Sequence, residues 1–315
     1  MQTVIFDSNS YRYLVRGKTF AQYSQEIIQI KALESRISFK PTLSMVVLSE
    51  LMKHLVDPTD VNYDECKNAV AAAVLHCRER ADGVQTIPCA PGMDNAIYFE
   101  VFGKYPENDH EKSLALVADR ILNNFTDNYI KSLHDELNIN LQNEQQNRDN
   151  FFNAVVASLK VIDPASTGFE DFLKDKNARD KFFRDVRHDN FKKVAAYSKL
   201  SRIRDERGNE ITATTDLIDK LAQKFSPALE LERLFWEKVA GRIPMKDGTH
   251  KEINTLYDIM ILIGGLVSYP NMLFVTREIK LHESFKASGM KNQIIDLPDY
   301  LSRLGAIGIN LIGYS

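Results

Sequence analysis

The chain has 315 residues, of which 44% are hydrophobic and 26% are charged, and its formal net charge is −3. This composition is typical of a globular protein with a substantial core. It excludes a global positive field that would attract nucleic acid or anionic membrane, so any such attraction has to come from a local patch.

Three further features bear on where the protein works. The cysteines, Cys66, Cys77 and Cys89, lack the C-x-x-C spacing of zinc sites and are typical of reduced thiols. The first apolar run is too short for a signal peptide. The most apolar segment, IMILIGGLVSY, is much shorter than a membrane span. We therefore expect a cytoplasmic protein that has no membrane partner.

The chain begins with a predicted β-strand that ends on a carboxylate. Residues 2–6 favour a strand because Val4, Ile5 and Phe6 are bulky and apolar. Asp7 follows directly, before the small polar run Ser-Asn-Ser. An ionised Asp in this position is costly unless a metal, a basic partner or helix N–H groups receive it.

The next segment favours helix, with a short strand predicted at residues 37–39. A further helix is expected to begin near Thr42 or Ser44, after Pro41. The apolar residues of that helix lie at helical spacing, and Glu50 lies at the edge of the apolar stripe.

Residues 56–250 differ from both chain ends in amino-acid composition. They are rich in Lys, Glu, Asp, Asn and Gln, with apolar residues at steps of three and four. This pattern predicts a large, mainly α-helical region.

The last part alternates strands with helices. INTLYDIMILIGGLVSY predicts a helix, MLFVT a strand, QIID another strand and LPDYLSRLGA a closing helix. Strands separated by helices favour a parallel sheet with helices on its faces. Sites in such sheets form at the carboxyl ends of the strands, which is where Asp7 and residues 276–278 are expected.

Several short motifs, in this order along the chain, together resemble a PIN domain. Each is an acidic or small polar residue next to a predicted strand or in a predicted helix. They are Asp7 with Asn9 after the first strand, Glu50 in SELMKHL, Asp258 in TLYDIMIL, and Thr276 with Glu278 in VTRE after a late strand.

The resemblance implies an α/β, three-layer PIN-like sandwich with a parallel central sheet built from both chain ends. Residues 1–55 and 251–315 would form the two halves of this core, and residues 56–250 a helical insertion. Two departures stand out. Glu278 replaces the more usual Asp, and the middle region is several times longer than is normal for the family.

The resemblance also implies a metal-dependent nuclease, most often one that cuts RNA. Mg²⁺ or Mn²⁺ would be held mainly by Asp7 and Asp258, with Glu50 and Glu278 completing the shell. Oxygen ligands suit such hard cations. Toxin-like members of the family have protein inhibitors, so the insertion could carry a protein partner. The alternative is an inactive PIN-like scaffold that serves as an interaction module.

Each of these residues also has a purely structural interpretation. Asp7 could cap a helix or form a turn, and Asn9 could form a turn or orient Asp7. Glu50 could be a solvated helix edge, and Asp258 a first-turn acid favoured by the helix dipole. Glu278 could be an ordinary surface acid. Thr276 is expected to donate a hydrogen bond to a carboxylate or to cap the next turn.

One stretch of the middle region is basic. Residues 179–207 hold ten Lys/Arg against five Asp/Glu, with aromatic residues interleaved. Arg184, Arg187, Lys192 and Lys193 are the candidates for contacts with nucleic-acid phosphates. A solvated amphipathic helix whose aromatic residues lie in the core is the alternative.

Overall fold

A computed structural model describes residues 1–81, 84–106, 110–162, 175–187, 190–239 and 271–313. The strands in this part of the chain are β1 (Gln2–Phe6), β2 (Phe39–Pro41), β3 (Leu43–Ser44), β4 (Glu79–Ala81), β5 (Val84–Thr86), β6 (Cys89–Ala90), β7 (Met272–Val275) and β8 (Ile294–Ile295).

The helices that precede residue 163 are α1 (Ser8–Val15), α2 (Phe20–Arg36), α3 (Met45–Met52), α4 (Tyr63–Cys77), α5 (Met93–Phe102), α6 (His110–Asn123), α7 (Asp127–Ser132) and α8 (His134–Ile162). The later helices are α9 (Lys176–Arg187), α10 (Phe191–Leu200), α11 (Thr215–Lys224), α12 (Ser226–Val239), α13 (Ile279–Ala287) and α14 (Leu297–Leu304).

The main sheet has four parallel strands in the order β2-β1-β7-β8. Thr3 pairs with Met272 and Phe6 pairs with Val275, so the first strand of the chain lies beside a strand from its last part. The prediction of an α/β protein whose parallel sheet is assembled from both chain ends is therefore confirmed.

Side chains of β1 and β7 alternate between two hydrophobic clusters. Val4 and Phe6 belong to the cluster that includes residues of α1–α4, α6 and α14. Ile5 and Phe274 belong to the cluster that includes residues of α5 and α9–α13. Because successive side chains of a strand point to opposite faces, helices cover both faces of the sheet.

The middle region contributes to both clusters. Its described residues are mainly helical, as predicted, with β4, β5 and β6 as short strands. α4 and α6 pack in the cluster of Phe6, and α9–α12 pack in the cluster of Ile5. The division of the chain at residues 55 and 250 stays a prediction, but the outer parts share their cores with the middle.

The second strand lies two residues later than the predicted position at 37–39. α2 continues to Arg36, and Ile37 is its exposed C-cap. Ser38 then has a φ of 59°, in the left-handed region that breaks an extended strand. Pairing with β1 begins at Phe39, opposite Gln2.

Candidate functional site

Asp7 lies where β1 ends and α1 begins. Its N–H donates to the Val275 carbonyl at 3.0 Å, which continues the pairing of β1 with β7. It is the N-cap of α1, and its Oδ1 accepts the Ser10 N–H at 2.6 Å. The capping interpretation of Asp7 is thus correct for one carboxylate oxygen.

The second oxygen of Asp7 faces the end of β7. The Thr276 hydroxyl donates to Asp7 Oδ2 at 2.6 Å, and the same hydroxyl oxygen accepts the Glu278 N–H at 3.0 Å. Thr276 is fully buried. Its side chain therefore does both things that the sequence suggested, since it binds a carboxylate and closes the following turn.

Asp7 and Thr276 lie at the point where the strand order of the sheet reverses. From β1 the chain moves to β2 on one side, whereas β7 and β8 lie on the other side. In open parallel sheets, ligands bind at the carboxyl ends of the strands beside such a switch point. Asp7 and Thr276 are the residues that follow the two strands there.

Glu50 comes to the same edge from α3. Its Oε2 accepts the Ser8 hydroxyl at 2.7 Å, and Ser8 is the neighbour of Asp7 in the chain. Glu50 is exposed, in agreement with its predicted position at the edge of the apolar stripe. Two acidic side chains from separate helical segments are thus linked through α1.

The pKa of Asp7 depends on its burial, on its hydrogen bonds and on the charge of Glu50. Burial raises the pKa of the Asp7 carboxyl above its ordinary value, while the hydrogen bonds from Ser10 and Thr276 work to lower it. The negative charge of Glu50 adds to the upward shift. A nearby cation would remove the cost of keeping these two carboxylates ionised together.

The two remaining predicted ligands are Glu278 and Asp258. Glu278 is exposed and is the N-cap of α13, two residues beyond Thr276 on the same edge. Asp258 lies outside the described residues, so its position is not tested. Among the residues that the structure does describe, no group of three or more His, Cys, Asp and Glu side chains is arranged to hold a metal.

Asn9 is exposed in the first turn of α1. The hydrogen bonds to the Asp7 carboxylate come from Ser10 and Thr276 in the described structure. The sequence interpretation overlooked the two serines of the Asp-Ser-Asn-Ser run. Both are buried, and the Ser10 hydroxyl also donates to the Val275 carbonyl at 3.0 Å.

The four candidates of the basic stretch lie on α9 and α10, and their surroundings differ. Lys192 Nζ is 2.9 Å from Ser226 Oγ and 3.4 Å from Glu230 Oε2. Lys193 Nζ is 2.7 Å from Asp219 Oδ1. These ion pairs connect α10 to α11 and α12, so a phosphate would have to compete with a carboxylate at either lysine.

Arg184 and Arg187 are exposed on α9. Of the aromatic residues in this stretch, Phe191 packs against the cluster of Ile5, and Tyr197 is 50% exposed. Of these two described aromatic side chains, one thus lies against the core and the other at the surface.

Comparison with protein-family models, curated proteins and solved structures finds no match for this chain. Within the described part of the chain, no helix combines the length and the apolar character that crossing a membrane requires.

Proposed function

We propose that the chain is a cytoplasmic, Mg²⁺- or Mn²⁺-dependent nuclease with a PIN-like fold, which hydrolyses phosphodiester bonds of RNA in preference to DNA. The observation that carries this proposal is the hydrogen bond from Thr276 to Asp7 at the switch point of a parallel sheet, with Glu50 beside it. The preference for RNA rests on the resemblance of the motifs to the PIN family.

The donor set fits a hard divalent cation. Such ions prefer carboxylate oxygens, and Mg²⁺ commonly binds through one or two of them. Within the described part of the chain, each oxygen of Asp7 accepts one hydrogen bond, whereas a carboxylate has about four acceptor positions in all, so these contacts leave capacity for a cation. Burial raises the pKa of Asp7, and a bound cation would favour the charged form of this carboxylate.

When bound, the cation would supply Lewis-acid stabilisation of the phosphoryl group and activation of water. The chain's own residues fix the geometry. Thr276 and Ser10 hold both oxygens of Asp7, and Ser8 holds Glu50. We propose Asp258 and Glu278 as the further acidic residues, from the motifs that resemble the family.

The test is cleavage of labelled single-stranded and duplex RNA and DNA with Mg²⁺, with Mn²⁺ or with a chelator. We expect cleavage of RNA that requires the metal and stops with the chelator. Equal cleavage in the chelator would contradict the proposal. So would the absence of cleavage of all four substrates with either metal.

Calorimetry of metal binding distinguishes the hypothesis of a metal-dependent nuclease from that of an inactive PIN-like scaffold. A nuclease of this kind binds Mn²⁺ through Asp7, so the wild-type chain should show binding that the Asp7→Asn variant weakens. Wild-type protein without affinity for metal would favour the scaffold.

A further inference from the structure

A basic residue follows the pair formed by Asp7 and Thr276 in the chain. Arg277 follows Thr276 in the chain and is exposed. Its Nη1 donates to the Tyr13 hydroxyl at 2.9 Å, and its guanidinium carbon lies 5.7 Å from the centroid of the Tyr13 ring. The Arg277 side chain is thus directed from the carboxyl end of β7 towards α1.

A second guanidinium contacts the same ring. The guanidinium carbon of Arg16 lies 4.9 Å from the Tyr13 centroid. Arg16 and Arg12 both pair with Glu65, at 2.8 Å and 2.5 Å.

The two guanidiniums that contact Tyr13 come from different parts of the chain. Arg16 is the C-cap of α1, whereas Arg277 lies just after β7. The Tyr13 ring therefore contacts basic side chains both from α1 and from the carboxyl end of β7.

We propose that Arg277 binds a backbone phosphate of single-stranded nucleic acid next to the site of Asp7 and Thr276, and that Tyr13 is its positioning residue. This inference rests on the proposed function. An arginine presents a planar set of N–H donors that matches phosphate oxygens, and a hydrogen bond to a fixed hydroxyl limits the orientations of that plane. A phosphate held at Arg277 places the adjoining backbone at the edge of the sheet where Asp7 lies.

The experiment measures binding without cleavage. Fluorescence anisotropy of a short labelled single-stranded RNA is followed in chelator over a series of salt concentrations. For Arg277→Gln we expect about tenfold weaker binding, the size of one charge-assisted hydrogen bond. The slope of log affinity against log salt should fall by roughly 0.7, which corresponds to one phosphate contact on a single strand.

Three further variants make the result specific. Arg277→Lys keeps the charge and should keep the wild-type salt slope. Tyr13→Phe removes the hydroxyl that orients Arg277, so it should weaken binding but leave the slope unchanged. Arg36→Gln is the matched control, because Arg36 is exposed in the last turn of α2, which leads to the opposite edge of the sheet. It should bind like the wild type.

The outcomes separate this inference from the proposed function. RNA binding that depends on Arg277 in a protein that never cleaves RNA would support the inference and contradict the nuclease. An Arg277→Gln variant that is folded by circular dichroism and keeps the wild-type affinity and slope would overturn the inference, even if the protein cleaves. Wild-type protein that does not bind the RNA would overturn it as well.

Discussion

The Nε2 atom of His76 lies 2.9 Å from Glu34 Oε2, and both side chains are completely buried. The hydroxyl of Tyr300 also donates to Glu34, and the Tyr11 hydroxyl lies 3.0 Å from His76 Nδ1. Cys77 Sγ is 3.6 Å from the Tyr11 hydroxyl. This network joins α1, α2, α4 and α14, so it ties the helix that Asp7 caps to the end of the chain.

We predict that this pair makes stability fall as the pH rises. Burial works to lower the pKa of His76, but the Glu34 charge and the hydrogen bonds with Cys77 and Glu34 together outweigh it and raise the pKa from 6.5 to about 10. The stabilisation is complete below pH 6.5 and is lost as the pH rises towards 10, at a rate of at most about 1.4 kcal/mol per pH unit. Urea unfolding across this window measures it.

The variant His76→Gln isolates the contribution of this pair. Removing the charge leaves the buried Glu34 carboxylate without a cationic partner, although Tyr300 still donates to it, and this should cost about 3 kcal/mol near neutral pH. The difference in unfolding free energy between wild type and variant should shrink as the pH rises. A difference that stays constant from pH 6.5 to 10 would show that His76 is neutral in the folded chain.

Asp7→Asn should abolish cleavage with little effect on folding. The amide oxygen can still accept the Ser10 N–H, and the amide nitrogen can donate to the Thr276 hydroxyl oxygen, so we expect a stability change within about 1 kcal/mol. Loss of the negative charge should reduce metal-dependent cleavage by more than about 100-fold. Cleavage rates and urea unfolding measure the two effects.

Asp296→Asn is the matched control for that experiment. Asp296 follows β8 and caps α14, where its side chain accepts the Asp299 N–H at 2.9 Å. It thus has the capping role of Asp7 without the contact to Thr276. A loss of cleavage as large as that of Asp7→Asn would contradict the special role of Asp7, because it would show that another capping acid at this edge of the sheet is equally needed.

Thr276→Val tests whether the orientation of Asp7 matters. The valine removes a buried hydroxyl that donates to Asp7 and accepts from the Glu278 N–H, so unfolding should become easier by about 1–2 kcal/mol. Metal affinity should fall about 10- to 100-fold, as it does when a group that orients a ligand is lost. Thr276→Ser keeps the hydroxyl and should restore most of the affinity, as measured by calorimetry.

The contact between Asp7 and Thr276 could be anticipated from local patterns. Each residue follows a short apolar run, and parallel strands bring their carboxyl ends to one edge of a sheet. The contact between Ser8 and Glu50 could not, because it depends on how α3 packs against α1. The sequence places Glu50 off an apolar stripe but does not identify its partner.

The buried network illustrates a limit of sequence interpretation. Glu34 lies near the end of α2, where a charged residue is ordinarily solvated, and its partner His76 is 42 residues further along the chain. The sequence predicts helical structure for the segments that contain Glu34 and His76 only in general terms, and a pairing of buried charges is a property of how the helices pack. The same holds for Arg277. In the sequence it is one residue of a polar run, and its contact with Tyr13 of α1 depends on the pairing of β7 with β1.

The last prediction concerns the basic stretch, in which Lys192 and Lys193 have carboxylate partners on neighbouring helices. Neutralising Arg184 and Arg187 should lower the salt slope of RNA binding by up to roughly 1.4, because two phosphate contacts on a single strand are lost. Neutralising Lys192 and Lys193 should instead cost about 0.2–1 kcal/mol of stability for each of these two ion pairs, which lie at the surface or are half-buried. It should change the salt slope little, since Glu230 and Asp219 already hold these ammonium groups.

Anisotropy and urea unfolding on both double variants distinguish the two effects. If the lysine pair lowered the slope as much as the arginine pair, α10 would contact RNA in spite of its ion pairs.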